Sequence, residues 1–507
     1  MWRIVTCLAL IFFTLPAAAD TIFVPFDQPT IQRAINTAVT GDEVVVADGV
    51  WTGPGNTDLD FRGKDIIVRS GNGPLHCIID MEHTARGALF NKGEGPSAVL
   101  EGFTLRNGNA LKGGGILITV NSRPTITGNI IEHCHADGNG GGIHVRRSSP
   151  VITGNLIQYN DAARGGGISL HVSEAIVTSN RFMENSASEN GGGLSCSWSD
   201  PEVVNNLFSM NHAGGEGGAA FFFNDDSTVE KYVLASATVD RNTSNGSCGG
   251  LFCRGCQIDV IDSIFTFSSG YDIQVGDESA GAVLNIDYTL VQGGRDRILK
   301  SPGSDLNIGE HAFNGLARYA QGPLGNHYLQ VTSDALNAGS DDAVNICFTG
   351  ADGVVCMDEL TTRPYPDHGI VDLGYHYPIA RQSNRTLWTK FATTPPSGML
   401  PVNVRCWLLL RQATNPPSTR VAAVNMGLRT AGGQYFQNWR SGELTVSPGQ
   451  DTLEVWTQVL PNRWSFAGEN LFLTRVVDIT PPPYNLPPYQ ASGGSAIDTF
   501  TFTGIEP

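Results

Sequence analysis

The sequence predicts an all-β fold in which short strands wind into a solenoid of stacked coils, followed by a smaller all-β domain. Three observations carry this reading. The triplet Gly-Gly-Gly begins at Gly113, Gly140, Gly165 and Gly191, with related starts at Gly217 and Cys248, in steps of 27, 25, 26, 26 and 31. A second mark keeps pace at Asn107, Cys134, Asn160, Asn185, Asn211 and Asn242, in steps of 27, 26, 25, 26 and 31. Between the marks lie only short alternating stretches, such as Gly142-Ile143-His144-Val145-Arg146, bounded by Gly, Asn, Asp or Ser. Such stretches read as strands of a few residues ending at corners.

The first element is a leader. Met1-Trp2-Arg3 is basic, Ile4–Leu15 is apolar, and Ala17-Ala18-Ala19 follows Pro16. That pattern reads as a signal peptide over 1–19, with a mature start at Asp20 and export. Its apolar run is too short to span a bilayer, and no later stretch is apolar enough. The expected product is therefore secreted or held at the cell surface without a membrane span.

The next element, Pro29–Ala38, has helical apolar spacing. Gly41–Val46 reads as a strand and Asp48-Gly49-Val50-Trp51 as a turn. The repeats then give one coil each, expected to hold three strands, with coils stacked at about 4.8 Å. Glycine fits the corners, where backbone crowding or positive φ excludes side chains. Asn at one register suits an inward ladder that bonds neighbouring turns. The expected ladder is Asn107, Asn160, Asn185, Asn211 and Asn242, with the bond missing at Cys134. A third mark ends in Asn129, Asn155, Asn180 and Asn206. An insertion is expected near Asn224–Glu230, where the period lengthens.

The coils resemble right-handed parallel β-helix proteins of the pectate-lyase-like superfamily. Phe182-x-x-Asn185 and Phe208-x-x-Asn211, alternating with Gly-Gly-Gly-Ile/Leu, are also similar to the repeats of chlamydial polymorphic outer-membrane proteins. The N-terminal segment resembles the capping helix and first coil of secreted β-helix proteins. Val291–Gly294, Ser333–Gly339, Arg363-Pro364 and Val371–Tyr375 resemble their common ending. The resemblance implies a right-handed parallel β-helix with a capping helix over 20–380. From 381 to 507 the glycine mark vanishes, and the strands at Pro401–Leu410, Val421–Val424, Leu453–Val459 and Leu471–Val477 have sandwich-like spacing. That part reads as a β-sandwich-like accessory domain, for attachment or carbohydrate binding by analogy of fold.

Composition narrows the function classes. The chain has 507 residues, 60 Gly, 16% charged residues and a formal charge of −17. The glycines do not recur every third residue, which excludes collagen, and the acidic balance argues against a nucleic-acid binder. Of ten cysteines, nine remain after the leader. Cys347 and Cys356 bracket a Gly/Asp-rich loop and are the expected disulfide. Cys253-Arg254-Gly255-Cys256 lacks the second pair of a zinc site, so no metal is expected.

Strand alternation separates the faces. Ile116/Ile118, Ile143/Val145, Ile168/Leu170 and Leu194/Cys196 point inward, continued by Leu251 and Cys253, the two cysteines acting as core fillers. His144, Arg146 and His171 then share the outward face of adjacent coils, followed by Trp198, Phe221 and Phe223. Arg, His and aromatic side chains in one row suit a sugar chain, while an ordinary solvated face with loop-covered aromatics is the more common arrangement. The candidate ligand-binding residues are His144, Arg146, His171 and Trp198.

Superfamily lyases use an Arg or Lys base and Ca²⁺ held by acidic side chains, and no acidic cluster aligns with Arg146. The hydrolase motif is echoed by Gly339-Ser340-Asp341-Asp342 without its partner motifs. His133-Cys134-His135 reads as a decorated turn. The expectation is a monomeric, non-catalytic protein that binds polysaccharide or surface glycans, without cofactor, for adhesion or structure. The other reading is a lyase or hydrolase of acidic polysaccharide with a divergent site, and a lyase would call for Ca²⁺.

Overall fold

A computed structural model of the chain describes residues 19–378 except 226–230, 323, 352, 364–366 and 368, and beyond 378 only the backbone of eight strands between Thr386 and Gly504. The expected leader, the greater part of the insertion near residue 224, and Pro364 lie outside the described residues. Among the described residues, no helix is long and apolar enough to cross a membrane.

From Thr21 to Ile308 the chain is a parallel β-solenoid. Each residue pairs with its equivalent one period ahead, as in Ile116↔Ile143, Ile143↔Ile168, Ile168↔Leu194 and Leu194↔Ala220. The coils carry four sheets, not the expected three strands. In one full coil the strands are Val151–Thr153 in sheet 1, Leu156–Gln158 in sheet 2, Asp161–Arg164 in sheet 3 and Ile168–His171 in sheet 4. Sheets 1, 2 and 4 have 12, 10 and 10 strands, and sheet 3 has 6. Strands of sheet 3 run as short as Ser186–Ala187. The backbone between the Asn mark and the glycines is thus extended enough to pair, where the sequence reads as a corner.

The inward row is as expected from alternation. Ile116, Ile143, Ile168 and Leu194 are fully buried, and each such side chain contributes about 1.5–3 kcal/mol through burial. Phe182 and Phe208 stack inside sheet 2 with centroids 4.7 Å apart. Turning from sheet 3 into sheet 4 requires the triplet. Gly140 sits at φ +71°, and a Cβ there would lie 2.3 Å from the Ile143 carbonyl oxygen. At Gly141 it would lie 2.5 Å from the Asp161 carbonyl oxygen of the next coil. Side chains are excluded at the first glycine by conformation and collision, and at the second by the neighbouring coil.

Two asparagine ladders run through the interior. In the first, Asn185 Oδ1 accepts from Asn160 N and Nδ2, while Asn185 Nδ2 donates to Ile157 O and Asn211 Oδ1. Asn211 and Asn242 continue the pattern. Asn107 does not belong to it. It precedes the ladder position, held by Gly108, takes φ +59°, and donates to Asp80 from a half-buried corner. The 27-residue step to Cys134 conceals this shift by one. At Cys134 the ladder is only half lost, because its backbone N–H still donates to Asn160 Oδ1. The third mark forms a second ladder, Asn129–Asn155–Asn180–Asn206. Every ladder Asn from 129 to 242 is essentially fully buried.

A helix α1 (Ile31–Thr37) precedes the first full coil, with Ile31, Ala34 and Ile35 in the core. Thr30 Oγ1 accepts from Arg33 N at its start. Lys64 Nζ donates to the carbonyls of Ile35, Asn36 and Ala38 at its end, where helical carbonyls lack partners. Glu43–Val46 is a strand, and the expected turn is partly a strand, Gly49–Trp51, paired with Cys77–Ile79 in sheet 2.

The segment after Ile308 turns back along the solenoid. Arg181 donates to Leu324 O, Thr178 to Thr349 O, Asn205 to His376 O, and Ser340 to Asp262. His327 pairs with the buried Asp240 at 3.0 Å. Gly339-Ser340-Asp341-Asp342 is therefore a docking turn against the corner at Asp262. Cys347 and Cys356 are joined across a hairpin, Cys347–Gly350 with Gly353–Cys356. Cys253 is a core filler as expected, fully buried in the inward row with its sulfur against that of Cys256.

Beyond 378 the eight strands pair antiparallel, Thr386–Thr394 with Val402–Arg411 and Gly468–Asp478 with Ser495–Gly504 among them. The side chains by which a sandwich would pack lie outside the described residues.

Candidate functional site

Sheet 4 presents alternate residues outward, and the first outward row is not a solvated face. His144, Ser169, Ser195, Phe221 and Phe252 are between 1% and 7% exposed. Phe221 and Phe252 cover each other by stacking at 5.3 Å. His144 is covered from the side. The residues just before three triplets, Lys112, Asn139 and Arg164, close with sheet 4 around a cavity of about 230 Å³. Its other walls are His144, Arg146, Ser169, Leu170, His171, Ser195, Ser197 and Trp198. All four candidate ligand-binding residues thus line one cavity. Sequence reasoning missed Lys112, Asn139 and Arg164, although they keep the same period as the glycines that follow them.

The cavity is basic inside an acidic protein. Its lining holds Lys112, Arg146, Arg164 and two histidines, and no carboxylate. Arg164 is paired with Glu189. Lys112 and Arg146 are exposed and have no ion-pair partner among the described residues. His144 is 1% exposed, and neither ring nitrogen has a hydrogen-bond partner in the protein. Burial first, then the charges of Lys112, His171, Arg146 and Arg86, push its imidazole down to about 3. It is a neutral ring at ordinary pH, with one N–H to donate and one lone pair to accept. His171 is also lowered, by burial and then by Arg146, Lys112 and Arg147.

An aromatic row leads out of the cavity. His171 meets Trp198 edge-on at 5.3 Å, and Trp198 meets Phe223 at 4.9 Å. Arg254 lies over Phe223 at 5.2 Å. Trp198 takes φ +49° and is 37% exposed, with its indole N–H donated to Asp225 Oδ1 at 2.6 Å. Pinning the nitrogen fixes the ring and leaves part of its apolar face to solvent.

Other candidate clusters resolve into structure. His133 takes φ +53° and stacks on Tyr159 at 5.1 Å. His135 pairs with Asp161, and that bond raises its pKa. The unpaired thiols Cys77, Cys134, Cys196 and Cys248 are buried, and burial raises the pKa of each. Among the described residues no group of three or more His, Cys, Asp or Glu is placed to hold a metal ion.

Residues 82–250 match the family model described as the right handed beta helix region. Together with the stacked parallel sheets, this match identifies the solenoid as a right-handed parallel β-helix. The matched stretch contains every residue of the cavity. No curated protein matches the chain.

Proposed function

We propose that this chain is a secreted or cell-surface β-helix protein that binds polysaccharide or surface glycans through the outward face of sheet 4, without catalysis, in adhesion or structure. The observation that carries the reading is the cavity that joins His144, Arg146, His171 and Trp198 and opens onto an aromatic row. Tyr, Trp and Phe offer flat apolar faces and Arg and His offer donors, a combination suited to the mixed surface of a sugar ring. Hydrolysis of a glycosidic bond ordinarily needs two carboxylates flanking it, and the cavity walls carry none, so its chemistry favours holding a sugar over cleaving one. In this reading α1 closes the N-terminal end of the helix, and the domain from 381 onward is a β-sandwich that serves attachment or carbohydrate binding. The leader over 1–19 directs export.

A glycan array probed with the purified chain and with an Arg146→Ala/Trp198→Ala double variant tests this. Wild-type binding to at least one glycan, lost in the double variant, is expected. Equal binding by the two proteins counts against the site. Release of unsaturated or reducing sugars from uronate polymers, abolished by Arg146→Ala, would replace binding with catalysis.

A further inference from the structure

We propose that residues 379–385 of this chain dock along the outward face of sheet 2, carrying the return segment on over Leu156 and Ile130 and setting the C-terminal strands beside the N-terminal coils. This face belongs to a different sheet from the cavity, and its occupant is independent of any glycan.

The outward face of sheet 2 carries one largely apolar row, in register from coil to coil. Toward the C terminus the row is Leu207, Thr238, Ile264 and Leu290. These four are at most 2% exposed, because the return segment lies on them. Leu373 packs with Ile264 and Leu290, and Tyr328, Tyr375 and Tyr377 pack with Leu207. Toward the N terminus the same row goes on as Arg181, Leu156 and Ile130. Arg181 still donates to Leu324 O. Leu156 and Ile130 are only half-buried. The exposed apolar part is thus continuous with an interface already formed, unlike apolar residues scattered singly over a surface.

The path of the chain points to the occupant. The backbone N–H groups of Gly374, Tyr375 and His376 donate in turn to Asp262 O, Thr238 Oγ1 and Asn205 Oδ1. Each acceptor lies one coil nearer the N terminus than the one before. The chain therefore runs along the axis toward Leu156 and Ile130 when it reaches Tyr377–Pro378. Residues 379–385 separate that point from the first C-terminal strand, Thr386–Thr394. Extended at roughly 3.3 Å per residue they cover about 23 Å, against coils stacked about 4.8 Å apart. The coils of Leu156 and Ile130 are within that reach, and tethering gives the segment an effective concentration that a separate partner lacks.

Its composition fits the face. Ile379 and Ala380 come first, and Arg381 and Arg385 follow. Glu132 stands beside Ile130 on the same outward face, half-buried and bonded by the Gln158 amide. Its neighbours Asp80 and Arg106 satisfy each other. Glu132 is thus the carboxylate left for an arginine of the segment.

The test is limited trypsin digestion of the full chain, with cleavage after Arg381 and Arg385 followed by mass spectrometry. Cleavage tracks the population of the undocked segment. Both sites are expected to be cut slowly in the wild type, and about ten-fold or more faster in an Ile130→Asp/Leu156→Asp variant. Ile379→Asp is expected to act alike, with every residue of the solenoid unchanged. Val172→Asp, at an exposed position of the sheet 4 corner, is expected to leave both rates within about two-fold of wild type. Wild-type cleavage as fast as in the variants overturns the docking. Acceleration confined to the solenoid variant also overturns it, because a folding defect then accounts for the change. A wild-type dimer in sedimentation that Leu156→Asp dissociates gives the face to a second copy and overturns the proposal too.

Discussion

Replacing Asn185 by Ala should cost the fold far more than any surface change. The buried Asn185 side chain makes four hydrogen bonds, two accepted by Oδ1 and two donated by Nδ2. Alanine would orphan the backbone N–H of Asn160 and one N–H of its side-chain amide, and would remove a donor from Ile157 O and from Asn211 Oδ1. A buried polar group left unsatisfied costs about 1–3 kcal/mol. Two orphaned donors therefore cost about 2–6 kcal/mol, and ~4 kcal/mol is a fair central value. With ~2.1 cal/mol/K of unfolding entropy per residue over ~350 ordered residues, that corresponds to a fall of about 5 °C in Tm. The control is Asn107→Gly. Asn107 is off the ladder, half-buried and at φ +59°, a conformation that glycine adopts freely, so the loss should stay below about 1 kcal/mol. Scanning calorimetry or guanidinium titration of both variants against wild type reads the difference. If Asn185→Ala shifts the midpoint no more than Asn107→Gly does, the ladder is not a principal stabiliser and the reasoning fails.

Three further outcomes follow from the same structure. Cys134→Asn should complete the ladder and stabilise the chain by about 0.5–1.5 kcal/mol, and a lower unfolding midpoint would show that the added amide does not fit beside Gly108. His144, held near 3 when folded and titrating near 6.5 when unfolded, makes the unfolded state bind more protons between those values. Stability should therefore fall as pH drops from about 6.5 toward 3, and His144→Gln should flatten that part of the curve; superimposable curves refute the assignment. Replacing Cys347 and Cys356 together with Ala should cost about 2–3 kcal/mol through the freed loop, seen as faster amide exchange in their hairpin. Unchanged exchange would mean that packing alone holds it.

Sequence periodicity made the coil, its register and the inward row legible, because each repeat meets its own image one period away. The Asn mark was legible as a ladder from Asn160 to Asn242, and its misplacement at Asn107 came from reading a corner residue as its neighbour. The second ladder was present as a repeated Asn129, Asn155, Asn180 and Asn206, but a mark at a corner does not reveal which way its amide points. The outward row His144, Arg146, His171 and Trp198 was legible from alternation, whereas its burial was not. Alternation says which face of a sheet a side chain takes and nothing about what is folded over that face.

Those limits divide what the chain determines locally from what its tertiary structure decides. The sequence by itself determined a stack of short strands with glycine at corners that exclude side chains, an asparagine ladder through the interior, and cations and aromatics sharing one outward row. Only the tertiary structure decided that the passage from sheet 3 into sheet 4 brings Lys112, Asn139 and Arg164 around the cavity lined by His144. It also decided that the segment after Ile308 runs back along coils from Thr178 to Asp262, and that two cations remain unpaired beside a buried neutral imidazole. The first set follows from interactions repeated at one short period, which a sequence displays as spacing. The second depends on contacts such as Thr178 to Thr349, 171 residues apart, and on the angle between sheets, for which a sequence carries no periodic mark.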